Sequence, residues 1–251
     1  MVQVVKVILT ISIILSSFMS SFSQKRIALV IGNANYQNAS LRNPINDATD
    51  FASKLITLGF TVTMRTNLNQ DQFEEAVRNF TELIEYGDVV LFFYSGHGMQ
   101  ANGSNYLIPI GERIENEDEI RHKAFSIDFL FDKLDNSGSA TNIIMLDACR
   151  DNPFSGFRSA TKGFISVTAP SGTIISYSTS PNSAAYDGDG RNSPYTESLL
   201  ECIDLPNLQI EVFFKEVRKK VKEKTANNQT PWENSSLIDD FYFNPNADNT
   251  G

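Results

Sequence analysis

Val89-Val90-Leu91-Phe92-Phe93-Tyr94-Ser95-Gly96-His97-Gly98 and Asn142-Ile143-Ile144-Met145-Leu146-Asp147-Ala148-Cys149-Arg150 are the two stretches on which the fold turns. Each is a continuous apolar run that ends close to a reactive side chain. An apolar run without alternation suits a strand covered on both faces, as in the interior of a parallel sheet. Such sheets present functional groups in the crevice beyond the carboxyl ends of their strands. His97 and Cys149 are therefore expected in one crevice, each at the start of an exposed loop. A thiol and an imidazole brought together there make a nucleophile with its own general base.

Outward from these runs, strands and helices alternate. Ile27 to Gly32 reads as a strand, and Pro44 opens a helix with Ala48, Phe51, Ala52, Leu55 and Leu58 at three- and four-residue steps before Gly59 ends it. A strand over Phe60 to Met64 follows. Asn69 is placed to cap the next helix with Gln72 reaching back, and Phe73, Ala76, Val77, Phe80, Leu83 and Ile84 form its inner stripe before Gly87. Between the His and Cys strands lie a short strand, Tyr106 to Ile110, an acidic loop, Glu112 to Glu119, and a helix, Ser126 to Leu134. Arg150 to Ser171, rich in Ser, Gly and Thr, reads as a loop, and Thr173 to Ser178 as a strand. Helical spacing leads into Cys202, and a last helix over 207–224 turns Ile210, Phe213, Phe214, Val217 and Val221 inward. The pattern predicts an α/β fold with a mostly parallel central sheet and helices on both faces.

The chain has 251 residues and 41% hydrophobic content, enough for one sizeable core. Lys6 followed by the apolar run Val7 to Leu15, with small Ser21 and Ser23 before Gln24, reads as a secretory signal peptide over 1–23. The expected organisation is that signal, a catalytic domain over 24–242 and a polar tail over 243–251. An exported protein, periplasmic or extracellular, is expected, with an uncleaved N-terminal membrane anchor as the alternative. No cysteine lies near the junction to carry a lipid, and no later stretch is long and apolar enough to span a bilayer, so stable membrane insertion is not expected after signal cleavage. Net charge is −9, and losing Lys6 with the signal makes it −10. Nucleic acid is therefore a poor partner, since binding it rests on Lys and Arg meeting phosphates. The two cysteines, Cys149 and Cys202, would ordinarily suggest a disulfide in an exported chain. Helical spacing around Cys202 favours a small buried thiol instead.

Tyr94-Ser95-Gly96-His97-Gly98 and Asp147-Ala148-Cys149-Arg150 resemble the His and Cys motifs of caspase-like cysteine peptidases, closest to paracaspases and their bacterial relatives. The Cys follows the His by about fifty residues, as in caspases. Supporting matches are Ala28-Leu29-Val30-Ile31-Gly32-Asn33 with Tyr36, then Leu41, Pro44, Asp47 and Ala48, and later Tyr177-Ser178-Thr179. The resemblance implies a three-layer sandwich. It also implies a Cys149–His97 dyad acting through a thioester acyl-enzyme and an oxyanion hole made by the Gly98 and Cys149 amides, where Gly98, lacking a side chain, lets substrate approach closely.

Animal caspases carry Gln two residues before the nucleophile, where this chain has Asp147. On a strand that residue shares a side with Cys149 and should prefer Arg, then Lys, before the cleaved bond. In the paracaspase pattern two more acids complete this pocket, and they match Asp47 and Asp187. The expected partners are thus proteins or peptides with Arg or Lys before the scissile bond. The loop after Cys149 carries Arg158 and Lys162, two candidates for self-cleavage.

Asp187-Gly188-Asp189-Gly190-Arg191-Asn192 begins like a calcium loop, but Arg191 stands where an oxygen ligand should, and it reads as a turn. No metal or other cofactor is expected, although related metacaspases can need calcium. His122 reads as a solvated loop residue. The rivals to an enzyme are a catalytically silent caspase-like binding module and a Cys–His enzyme acting on another acyl or amide bond.

Overall fold

The structure, a computed structural model, describes residues 24–37, 39–149, 164, 165, 167–181 and 185–245. In chain order the elements are β1 (Arg26–Gly32), α1 (Pro44–Thr57), β2 (Thr61–Thr66), α2 (Gln70–Thr81), β3 (Val89–Ala101), β4 (Ser104–Leu107) and α3 (Glu117–Lys123). They continue with β5 (Phe125–Ser126), α4 (Ile127–Asp135), β6 (Thr141–Cys149), β7 (Thr173–Tyr177), α5 (Pro194–Cys202), α6 (Ile210–Lys224) and β8 (Trp232–Ser235). The sheet runs β2-β1-β3-β6-β7-β8, with β4 and β5 extending it from β3. Pairing is parallel from β2 through β7 and antiparallel at β8.

Both faces of the central strands are covered, which is why their sequences are apolar without a break. Ala28, Val30, Leu91, Phe93, Ile143 and Met145 pack under Phe51 and Leu55 of α1, Tyr195 and Leu199 of α5, and Phe213, Phe214 and Val217 of α6. Residues of the opposite parity, Leu29, Ile31, Val90, Phe92 and Ile144, pack against Phe73, Val77 and Phe80 of α2 and Leu130 and Leu134 of α4. The result is the three-layer α/β sandwich that alternation implied. Gly32 allows the first layer to close, because a Cβ there would stand 2.3 Å from the Pro44 carbonyl oxygen and 2.9 Å from Ala48 Cβ. That contact seats the start of α1 at the carboxyl end of β1.

Local chemistry sets the helix ends. The Asn69 side chain accepts the Gln72 N–H at 3.0 Å while the Gln72 side chain accepts the Asn69 N–H at 3.1 Å, the reciprocal cap that the spacing predicts. Ser193 caps α5 just before Pro194.

Several boundaries differ from the sequence reading. β3 does not give way to a loop at His97: it runs on to Ala101 and turns back into β4 across Asn102 and Gly103, whose φ values are 50° and 81°. Two central residues at positive φ are what a two-residue hairpin needs to match strand twist. The strand expected over Tyr106 to Ile110 is Ser104–Leu107. Part of the expected acidic loop is α3, with Asn116 at its N-cap, acids in its first turn and Arg121, His122 and Lys123 in its last, as the helix dipole favours. His122 is thus an exposed helical residue, with Arg121 Nε 3.0 Å from its ring. Phe243, placed in the polar tail, is buried against Phe213 and Phe241, while Arg26 donates to the Tyr242 and Phe243 carbonyls at 3.1 Å. Among the described residues no helix is long and apolar enough to cross a membrane.

Candidate active site

β3 and β6 are adjacent, parallel and in register, and the last pair of their ladder is His97 opposite Cys149. Partners in a ladder lie about 4.8 Å apart across the strands, so the two backbones meet at the crevice end of the sheet. The Cys149 side chain, Arg158 and Lys162 lie outside the described residues. The crevice position agrees with the sequence reading, but the exposed loop does not: His97 is only 4% exposed, inside a strand that the β4 hairpin prolongs.

His97 is held on every side. Its Nε2 lies 2.7 Å from the Ala39 carbonyl oxygen, which can only accept, so Nε2 carries the hydrogen and Nδ1 is the basic nitrogen of the neutral ring. The Tyr36 ring packs 4.4 Å from the imidazole, and Tyr36 Oη accepts the His97 N–H at 3.1 Å while donating to the Ile108 carbonyl at 3.0 Å. Tyr94 Oη lies 2.9 Å from the His97 carbonyl oxygen and 3.1 Å from Tyr36 Oη. Tyr36 and Tyr94 entered the sequence reading as matches to a motif; their position around His97 gives them a physical part in it.

Gly98 faces Leu107 across the β3–β4 ladder, and the Ile108 N–H donates to the His97 carbonyl at 2.9 Å. That bond makes Gly98–Leu107 a non-hydrogen-bonded pair, so the Gly98 amide is not spent on β4. The space beside Gly98 is otherwise than expected. A Cβ there would meet the Phe164 ring at 2.3 Å and Ala148 Cβ at 3.1 Å. The missing side chain makes room for Phe164 and is not an open approach for substrate.

The three candidate acids come together at one side of this strand end. Asp147 precedes Cys149 by two residues on β6, Asp47 sits in the first turn of α1, and Asp187 is in the loop before α5. Asp47 is fully buried and Asp147 5% exposed. Asp47 Oδ2 accepts the Ser95 hydroxyl at 3.0 Å, and its Oδ1 accepts the Ser193 N–H at 3.0 Å and Asn192 Nδ2 at 3.2 Å. Asp147 Oδ2 accepts the Thr196 hydroxyl at 2.8 Å and the Ser193 hydroxyl. Asp187 Oδ2 accepts the Arg42 N–H at 2.8 Å. The Asp187 loop is pinned to α1 by a bidentate Arg191–Asp50 pair at 2.8 Å and by Asn192, which also reaches Asp50 at 3.1 Å.

Among the described residues neither Asp47 nor Asp147 forms an ion pair. Burial raises both carboxyls well above the ordinary carboxylate value. The charge of Asp147 adds to the rise at Asp47, and that of Asp187 to the rise at Asp147, against the pull of the hydrogen bonds. Among the described residues no group of three or more His, Cys, Asp or Glu side chains is arranged to hold a metal ion. Cys202 is a buried free thiol on the inner face of α5, raised to about 11 by burial. Ser95, Ser193 and Thr196 went unassigned in the sequence, although Ser193 before Pro194 was legible as a helix cap.

A three-layer sandwich with a His and a Cys facing each other at the last pair of its central parallel ladder is a caspase-like arrangement. Residues 25–242 match the caspase domain, and the chain belongs to that family of proteases. Similar curated proteins include human mucosa-associated lymphoid tissue lymphoma translocation protein 1, 26% identical over 51% of this chain and 15% of that one. A probable protease from a Desulfuromonadales bacterium is 27% identical over 52% of this chain and 17% of its own length. The chain thus matches less than a fifth of the length of these relatives.

Proposed function

We propose that the protein is an exported cysteine endopeptidase that cleaves peptide bonds after Arg, and after Lys less well. What carries the reading is the pairing of His97 with Cys149 at the last step of the β3–β6 ladder, with the His97 Nε2 hydrogen committed to Ala39. That commitment turns Nδ1 to the proton work. Nδ1 takes the Cys149 proton, and the thiolate adds to the scissile carbonyl carbon. The carbonyl oxygen then bears the negative charge, which the Gly98 and Cys149 amides meet; one such donor is worth about 3 kcal/mol of barrier. The intermediate collapses, the C–N bond breaks, and the leaving nitrogen takes the proton back from Nδ1. A thioester remains. Water, losing its proton to the same nitrogen, hydrolyses it and restores the thiol.

The charge before the scissile bond follows from the acids. Among the described residues Asp147, Asp47 and Asp187 converge without a cation of their own, and a guanidinium meets carboxylates with charge-assisted, often bidentate hydrogen bonds, which favours Arg over Lys. Arg158 and Lys162 fit the same preference, so the enzyme is proposed to cut its own loop there.

The test is a positional peptide library incubated with wild type and Cys149→Ala. Cleavage after Arg, then Lys, by wild type alone is expected, with fragments ending at Arg158 or Lys162 seen by intact mass only when Cys149 is present. Activity retained by Cys149→Ala overturns the cysteine-peptidase reading, and cleavage after Asp overturns the pocket. An uncut, fully active wild type removes self-processing alone.

A further inference from the structure

Ser193 touches both buried acids at once. Its amide donates to Asp47 Oδ1 at 3.0 Å and its hydroxyl to Asp147 Oδ2, and the same Oγ accepts the Thr196 N–H at 2.9 Å. All four residues are buried. A hydroxyl has a single hydrogen, and the lone pairs of this one are already engaged by the α5 cap, so that hydrogen goes to Asp147. The Thr196 hydroxyl converges on the same oxygen at 2.8 Å. Two fixed donors on one oxygen stop the carboxylate from rotating. A cation entering the crevice therefore meets an Asp147 already oriented, and an Asp47 held in register with it through one residue of backbone.

We propose that Ser193 is a positioning residue for specificity: it ties the N-terminus of α5 to Asp47 and Asp147 and fixes their spacing to fit a guanidinium. The inference rests on the reading of these acids as the pocket for a basic side chain. An ordinary helix cap would end on its own helix. Ser193 instead spends its only hydroxyl hydrogen on a carboxylate of another element, 46 residues away in the chain. Burial, with the charge of Asp147 at Asp47 and that of Asp187 at Asp147, raises the protonation of both acids, and donors from Ser193 oppose that rise, keeping charge available for the substrate. Among the described residues the other charged and titratable groups around the pair include Asp187, Asp50 with Arg191, Tyr195 on α5, and His97 beyond Ser95 on β3.

The experiment compares Ser193→Gly, Ser193→Ala and Ser193→Thr with wild type, using one peptide with Arg before the scissile bond and a matched peptide with an uncharged residue there. Glycine keeps the amide to Asp47 and caps helices nearly as well as serine, so it isolates the hydroxyl. Losing a hydrogen bond to a charged group predicts that Ser193→Gly and Ser193→Ala lose about tenfold or more in kcat/KM on the Arg peptide, mostly through KM. The uncharged peptide should change by less than about threefold, and Ser193→Thr should restore the Arg preference. Retained turnover of the uncharged peptide reports that the variants are folded. Equal losses on both peptides, or an unchanged Arg preference, overturn the proposal. Asp147→Asn run alongside separates the two failures: if it loses the Arg preference while Ser193→Gly keeps it, the acid pocket stands and the role of Ser193 falls.

Discussion

The two halves of the crevice solve the burial of polar groups in opposite ways. Around His97 the hydrogen bonds are neutral and matched: a carbonyl for Nε2, a tyrosine hydroxyl for the backbone N–H, another for the carbonyl. Around Asp47 and Asp147 the donors are also neutral, three to the first and two to the second, but the buried groups are acids. Neutral donors stabilise a carboxylate without cancelling its charge, and buried charge is costly unless paired. Under the proposed function the acids take their cation from the substrate, while Nε2 and the backbone of His97 already have partners within the fold. Rigidity on one side and a charge deficit on the other give a site that holds its chemistry ready and takes its specificity from the ligand.

The largest way to break the contrast is at the histidine. His97→Ala is expected to lower kcat for every peptide, charged or not, on the order of 10³-fold or more, because proton transfer fails whatever the substrate. A loss confined to Arg peptides would show that His97 serves binding alone. Asp147→Asn should do the converse. Volume is nearly kept and a charge is lost, so kcat/KM after Arg should fall on the order of 10²-fold while an uncharged peptide is little affected. Equal losses would make Asp147 structural.

A finer cut lies within the neutral half. Tyr36→Phe keeps the ring over the imidazole and removes the hydroxyl that receives the His97 N–H and binds the Ile108 carbonyl. About a tenfold loss in kcat with KM unchanged is expected, and equally so for Arg and uncharged peptides. An effect on KM alone would mean that Tyr36 shapes the substrate site and not the imidazole.

The same division explains what could be read from the chain. The fold was legible because strand and helix periods are local, and because covering both faces leaves β3 and β6 unbroken apolar runs. The prolongation of β3 past His97 has a local signal too, since Asn102-Gly103 between Ala101 and Ser104 is a two-residue hairpin signature, although the apolar run itself ends before His97. The edge strand β8, Trp232–Ser235, has no apolar alternation and is recognised only by its pairing with β7. The three acids were reached through a family pattern. Their neutral partners were not, because Ser193 and Thr196 stand 46 and 49 residues from Asp147, and no local spacing announces such a contact.

The smallest expected effect is thermodynamic, and it separates the halves without any substrate. Burial raises the Asp147 carboxyl above its ordinary value of 3.8, so the folded protein holds that proton more tightly than the unfolded chain does. Between 3.8 and the raised value the native state binds more protons than the unfolded state, and the slope of unfolding free energy against pH is negative. This carboxyl therefore costs nothing well below pH 3.8 and destabilises the free protein increasingly as pH rises through that window. Asparagine cannot ionise, and its carbonyl oxygen still accepts the Ser193 and Thr196 hydroxyls. Asp147→Asn should thus melt above wild type at pH 8, by the equivalent of about 1 kcal/mol, and the gap should close as pH falls below 3.8. An Arg-terminated product peptide should raise the wild-type melting temperature at pH 8 more than that of the variant, since the ligand supplies the missing cation. Tyr36→Phe, on the neutral side, should shift melting by the same amount at both ends of that range. Thermal melts followed by circular dichroism decide the matter, and an Asp147→Asn protein less stable than wild type at pH 8 would mean that the acidic half, like the histidine half, is already complete.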